Sequence, residues 1–361
     1  MISLAKPDIG EEEHERVAAV LDQGLLADGP EVRGFEQAFA DAIGSEHAIA
    51  TSNGTTALHA GLNGLSIGTD DRVITTPFSF IASANAAALS GATVEFVDIE
   101  EATLNLDSDA LESRLRDGPP VDAVIVVHLF GLPADIDHIV ELSNRYDFDV
   151  IEDAAQAHGA THRGRSVGSI GDVGCFSFYP TKNITTGEGG MVTTDDEAVA
   201  ERVRRFIDHG RTARYEHAVI GHNFRLSSVH AAIGRAQLTR LDEYVTHRRR
   251  NAAQLSDALA HTPIRTPIDP PDRTHAYHQY TIRHPGRDRI QSELSARDIE
   301  SAIYYPTPIH QQPAYTDVHA TCPVAEQAAT EVLSVPIHPG VDEYDIDRIQ
   351  RTIVGTLEAL A

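Results

Sequence analysis

Short apolar runs recur along the first half of the chain, separated by stretches in which apolar residues return every three or four positions. HAIATS (47–52), RVITT (72–76), TVEFVD (93–98), AVIVVH (123–128), DVIEDA (149–154) and DVGCFSF (172–178) are continuous rather than alternating, as strands covered on both faces are. DIDHIVELSNRYD (135–147) has the helical period, and a helix is expected to start near Thr55. Strand and helix in alternation predict an α/β domain with a mainly parallel sheet. After Ser227 a long helical pattern runs to residue 260, followed by the break TPIRTPIDPPD (262–272). Beyond it come a strand in HQYTIRH (278–284) and helices near 290–303, 323–333 and 343–360. The pattern places a large domain over residues 1–250 and a small C-terminal α+β domain over 251–361.

A chain of 361 residues, 41% hydrophobic, is long enough to bury such a core. Its start turns acidic at once, and no run of eighteen apolar residues occurs, so a cytosolic location is expected, without signal peptide or membrane span. Cys175 and Cys322 lack zinc-site spacing and are expected to be buried and inert. The 54 acidic and 29 basic residues give a net charge of −25, spread along the chain. That charge repels nucleic acid and anionic membranes. It is also what cytosolic proteins of salt-accumulating organisms look like. Just two lysines occur, Lys6 and Lys182. An amine can lose its proton and attack a carbonyl, whereas a guanidinium stays charged, so Lys182 is a candidate for chemistry.

Ligands of open parallel sheets bind at the carboxyl ends of the strands. After HAIATS, Gly54, Thr55 and Thr56 would sit at a helix N-terminus, a phosphate site. After RVITT comes Phe80. Asp153 ends an apolar strand where an unpaired carboxylate is costly, Gln156 follows it, and Ser177 and Lys182 follow DVGCFSF. A phosphate cradle, an aromatic ring, a buried acid and a lysine together suit pyridoxal 5'-phosphate (PLP), which has a phosphate, a flat basic ring and an aldehyde.

SNGTTAL (52–58), PFSFIASANA (77–86), EDAAQAHGA (152–160), SFYPTKNITTGEGG (177–190), GHNFRLSSVHAAIG (221–234) and YYPTPIHQQPAY (304–315) resemble, in order, the signatures of the DegT/StrS-type sugar aminotransferases, PLP-dependent enzymes of fold type I. The resemblance implies that Lys182 carries the cofactor and shuttles a proton, and that Asp153 pairs with the ring nitrogen. It places Gln156 near the ring, Phe80 over its face, and Gly54, Thr55, Thr56 and Ser177 on the phosphate. Asn223 would reach that phosphate from a second copy of the chain, which implies a homodimer with shared active sites. His222 stands where the family commonly has Tyr. Lys6, Arg225 and His310 are placed near the substrate. That substrate is expected to be a nucleotide-linked ketosugar aminated from glutamate, and NITTGEGG looks more like relatives acting at C4 than at C3.

Other readings are weaker. Sugar dehydratases of the same family carry histidine where this chain has Lys182. An NAD-dependent oxidoreductase needs a G-x-G-x-x-G after an early strand, which is missing. A non-catalytic binding relative has no need for Lys182, Asp153 and Ser177 together.

Overall fold

A computed structural model describes residues 1–359. The first strands are β1 (His47–Thr51), β2 (Arg72–Thr75), β3 (Thr93–Phe96), β4 (Ala123–Val127) and β5 (Asp149–Asp153). They are followed by β6 (Thr161–His162), β7 (Arg165–Ser166), β8 (Val173–Ser177) and β9 (Gly190–Thr194). Seven of these form one sheet in the order β1-β9-β8-β5-β4-β2-β3. Every pairing in it is parallel except those of β9, which runs antiparallel to both β1 and β8. All five residues of β4 are buried, which accounts for its uninterrupted apolar sequence.

Helices α1 (Glu11–Gln23), α2 (Pro30–Ile43), α3 (Gly54–Gly64), α4 (Ala82–Leu89), α5 (Ser108–Asp117), α6 (Ile136–Tyr146) and α7 (Glu197–Ile207) accompany the sheet. Their starts follow local chemistry. Asn53 caps α3 by accepting the Thr56 N–H at 2.9 Å, and Asp107 and Asp196 cap α5 and α7 in the same way. The long helical pattern after Ser227 is two helices, α8 (Ser228–Thr239) and α9 (Leu241–Leu259), broken at Arg240. They have different partners, α8 packing on α1 and α2 and α9 on the C-terminal helix.

A hairpin of β10 (Arg211–Ala213) and β11 (Glu216–His217) precedes α8, and β12 (Arg273–Thr274) joins β6 and β7. The C-terminal part pairs β13 (Tyr280–Arg283) antiparallel with β14 (Val332–Val335). Helices α10 (Arg287–Ser295), α11 (Pro323–Glu331) and α12 (Glu343–Glu358) complete it. Its core draws on Ala252, Leu255 and Leu259 of α9, on β13, β14 and α12, and also on Ile2. Residue 250 thus falls inside a continuous helix, and the N-terminus packs with the C-terminal core.

Three elements differ from the sequence reading. The helix expected to reach 303 stops at Ser295, and Ala302 is extended, bridging to Ser334. The helix expected to reach 333 gives way at Val332 to β14. Strand β9, GMVTT, was not anticipated. It is wholly buried, and a Cβ on Gly190 would lie 2.3 Å from the Asn53 carbonyl oxygen. Glycine there admits the close approach of β9 to the β1–α3 turn. No helix of the described residues is long and apolar enough to cross a membrane. Cys175 and Cys322 are both buried and unpaired.

Candidate active site

The ends of β1, β2, β4, β5 and β8 open on one cavity of about 820 Å³. Gly54, Thr55, Thr56, Phe80, Asp153, Gln156, Ser177 and Lys182 all line it. The first turn of α3 presses on the end of β8: a Cβ on Gly54 would meet that of Ser177 at 2.7 Å. The first N–H groups of a helix have no acceptor within it. Asn53 takes that of Thr56, which leaves those of Gly54 and Thr55 for an anion, beside the Ser177 hydroxyl.

Asp153 is 5% exposed at the tip of β5. Its Oδ2 accepts from the Ser83 hydroxyl at 2.7 Å and its Oδ1 from the Ala155 N–H at 3.2 Å. Burial pushes the carboxyl above its ordinary range, although the Ser83 and Ala155 bonds and the Lys182 charge pull it down. Such a group gains from a further cation. Lys182 opens onto the cavity but its amine is enclosed elsewhere by protein. Burial brings it down to about 8, against the pull of Asp153.

Gln156 is held at both ends of its amide. Its Oε1 accepts the Phe130 N–H at 2.7 Å, and its Nε2 donates to the Tyr305 hydroxyl at 3.0 Å. Phe130, in the turn Leu129–Gly131, takes a left-handed φ of 57° to present that N–H. Phe80 is 58% exposed at the rim, its ring 6.4 Å from that of Tyr305.

Behind Asp153, the other face of β5 carries Glu152, fully buried. Its carboxylate accepts from His128 Nε2 at 2.9 Å and from the N–H groups of Gly168, Ile170 and Gly171 at 2.7–2.8 Å. His128 Nδ1 accepts the Ala134 N–H, so the ring is the tautomer that donates to Glu152. Despite burial, these bonds hold Glu152 below the ordinary carboxylate range. Deleting Glu152 would leave the neutral His128 and three backbone N–H groups without an acceptor, which at about 1–3 kcal/mol per unsatisfied group costs at least about 3 kcal/mol. Glu152→Ala is expected to lose that much stability in a denaturant titration.

Four expected site residues lie outside this cavity. Asn223 is exposed and its backbone bridges to Asp208. Arg225 pairs with Asp208 and lines a different pocket with Arg33, Arg204, Arg205 and Arg211. Lys6 is exposed. His310 is buried beside Phe96, and its Nε2 contacts Glu326 at 3.1 Å, so it is turned to α11 rather than to the cavity. His222 keeps an aromatic role, stacking on Phe224 at 4.5 Å. The structure instead adds Ser83, Tyr179, His278, Gln279, Tyr304 and Tyr305. Ser83 and the tyrosine pair stand within motifs already quoted, in PFSFIASANA and YYPTPIHQQPAY.

A family model described as the DegT/DnrJ/EryC1/StrS aminotransferase family matches residues 7–354. The chain belongs to this family. The structure also superposes on Streptomyces venezuelae DesV, solved in complex with a ketimine intermediate, with a TM-score of 0.93 and 38% identity, over 96% of this chain and 94% of that one. Among curated relatives, a UDP-N-acetyl-3-dehydro-alpha-D-glucosamine 3-aminotransferase of Acidithiobacillus ferrooxidans is 40% identical, over 94% of this chain and 92% of its own. GDP-perosamine synthase of Caulobacter vibrioides is 39% identical, over 96% of each chain. The protein is therefore a sugar aminotransferase of fold type I whose cofactor is PLP. The cavity fits that cofactor: free helix N–H groups for the phosphate, a carboxylate in need of a cation for the ring nitrogen, and an amine for the carbonyl.

Proposed function

We propose that the enzyme transfers an amino group from L-glutamate to a ketosugar carried on a nucleoside diphosphate, acting in the cytosol. The observation that carries this reading is the cavity itself, in which an easily deprotonated lysine, a buried carboxylate and a helix N-terminus face one space. The nucleotide sugars in the relatives' names support the substrate class.

In this reading PLP, when bound, supplies a carbonyl that condenses with amines and a ring that takes up the charge left by a broken C–H bond. Gly54, Thr55, Thr56 and Ser177 bind the phosphate. Asp153, fixed by Ser83 and Ala155, keeps a proton on the ring nitrogen. Gln156, clamped between Phe130 and Tyr305, borders the ring, and Phe80 covers it. Lys182 Nζ would hold the cofactor through its carbonyl carbon and, once freed from it, would carry a proton between that carbon and the carbon that loses or gains the amine.

The carbon aminated is proposed as C4, from the NITTGEGG loop. A second reading, C3, is favoured by the activity named for the Acidithiobacillus relative. Incubation of the holoenzyme with glutamate and a panel of 3-keto and 4-keto nucleotide sugars tests both, with NMR of the product assigning the carbon. Bleaching of the visible cofactor band by glutamate, followed by no product from any member, would overturn the acceptor class.

We further propose a homodimer in which Asn223 of a second copy completes the phosphate site. The segment before it supports this, since Tyr215 and Ile220 are 84% and 94% exposed, and exposed apolar groups of that kind mark contact surfaces. Lys6, Arg225 and His310 stay assigned to the nucleotide side of such an assembly by resemblance alone. Each copy carries −25, so the dimer repels itself, and molar salt shortens the Debye length from about 10 Å at 0.1 M to about 3 Å at 1 M. If the composition reflects a high-salt cytoplasm, dimer and cofactor are expected to be lost together as KCl falls from molar to dilute. Sedimentation and visible absorbance along a KCl series check this, and a dimer still assembled, yellow and active at low salt contradicts it.

A further inference from the structure

The buried face of α4 is built almost wholly of alanine. Ala82, Ala84, Ala86 and Ala87 are buried on this helix, and Ser83 is the one polar residue among them. A hydroxyl in that setting costs free energy unless it is hydrogen-bonded. Ser83 Oγ has three polar neighbours, Asp153 Oδ2 at 2.7 Å, Ser79 Oγ at 3.1 Å and the Phe80 carbonyl oxygen at 3.3 Å, but a hydroxyl has one proton to give. A charged carboxylate is the stronger acceptor, and the Phe80 carbonyl is already reached by the Ser83 N–H at 3.3 Å. The proton therefore goes to Asp153. The bond between the two serines then runs the other way, with the Ser79 hydroxyl donating to Ser83. Ser79 is buried on the cavity wall and Asp153 is buried at the tip of β5, so two aligned hydroxyls lead from Ser79 through Ser83 to the carboxylate.

We propose that Ser79 and Ser83 are positioning residues that act through Asp153: their aligned hydroxyls hold the carboxylate in its charged form, so that the proton between Asp153 and the cofactor ring stays on the ring nitrogen. The inference deepens the proposed function and rests on Asp153 being the partner of that nitrogen. One proton lies between the two groups, and the stronger base keeps it. A hydrogen bond donated to a carboxylate favours its charged form and so makes it the weaker base. Burial works in the opposite direction on Asp153, and the Ser83 bond is the largest of the influences that oppose it. Ser79 strengthens that bond without touching Asp153, because in a chain of hydroxyls each bond polarises the next. The Ala155 N–H, at 3.2 Å from Oδ1, is the longer and weaker of the two bonds to the carboxylate. An alanine at 83, like its neighbours on α4, would fill the space but leave Oδ2 without its donor.

Full-length protein loaded with PLP isotopically labelled at the ring nitrogen lets nitrogen NMR read where the proton lies, independently of turnover. Ser83→Ala is expected to move that resonance towards the unprotonated ring and to weaken the PLP dissociation constant by about tenfold or more, as loss of a hydrogen bond to a charged group does. The rate at which L-glutamate bleaches the visible cofactor band should fall by a similar factor, with the half-saturating glutamate concentration within about twofold. Ser83→Thr keeps the hydroxyl and should recover most of each loss. Ser79→Ala should move the resonance the same way and weaken PLP retention by about twofold or more. Because Ser79 acts through Ser83, its replacement should add nothing in the Ser83→Ala background. An unmoved resonance in Ser83→Ala, or effects of the two serines that simply add, would overturn the proposal. If the variants at 83 do not fold, the resonance in Ser79→Ala decides. Asp153→Asn separates the two levels: wild-type PLP retention and turnover there would remove the assignment of Asp153, whereas an impaired Asp153→Asn beside an unaffected Ser83→Ala removes the serine chain alone.

Discussion

Lys182→Ala is expected to lower turnover by at least about a thousandfold, which at about 1.4 kcal/mol per decade is some 4 kcal/mol of transition-state stabilisation. In the proposed mechanism the residue supplies both the attachment point and the proton carrier, and Lys6 is exposed and does not line the cavity. Cofactor binding should survive in weakened, non-covalent form, because the α3 N-terminus and Asp153 remain. Borohydride reduction of the wild type followed by peptide mapping checks the assignment, and a label on Lys6 or nowhere would overturn it. Stability should move the other way. Burial takes Lys182 from its ordinary 10.5 to about 8, so the unfolded chain binds more protons between these values. The resulting penalty on folding is present in full below about pH 8 and is relieved as pH rises towards 10.5. Cofactor-free Lys182→Ala should thus be more stable than the cofactor-free wild type at neutral pH.

Asp153→Asn is the second large effect, expected at about a hundredfold or more in turnover, or some 2.7 kcal/mol. The amide preserves shape and can still accept from Ser83, but it brings no charge to hold a proton on the ring nitrogen. Because burial already raises Asp153 above the ordinary carboxylate range, the neutral side chain costs the protein little by itself. The variant should therefore fold normally, retain PLP less tightly and turn over slowly. Near-normal turnover with normal PLP retention would reduce Asp153 to a structural residue.

These residues were legible because each strand carries its chemistry on its own carboxyl end. Asp153, Ser177 and Gly54 follow apolar runs directly, and Lys182 stood out in a chain almost without lysine. What escaped was set by distant segments. Ser83 reaches Asp153 from α4, Tyr305 reaches Gln156 from the C-terminal part, and His278 reaches the cavity wall from beyond α9. No local pattern encodes such meetings. His310 shows the converse: its polarity is visible in the sequence, but the Glu326 contact that draws it towards α11 is not. Strand β9 was missed because glycine and threonine are poor markers of a buried strand, and its glycine answers to the backbone of Asn53.

That strand also governs when the site can exist during synthesis. Strand β1 sits at the sheet's edge and joins it through β9, with His47 opposite Thr194. The ribosome makes β1 and the phosphate-binding turn early, yet they have nothing to add to until residue 194 has emerged. Closing so long a stretch of chain is an entropic cost met before any contact repays it. A nascent chain that stops short of β9 can pair β2 to β5 and β8 and so hold the Lys182 end of the site, but it lacks the strand that joins β1 and its turn to that sheet.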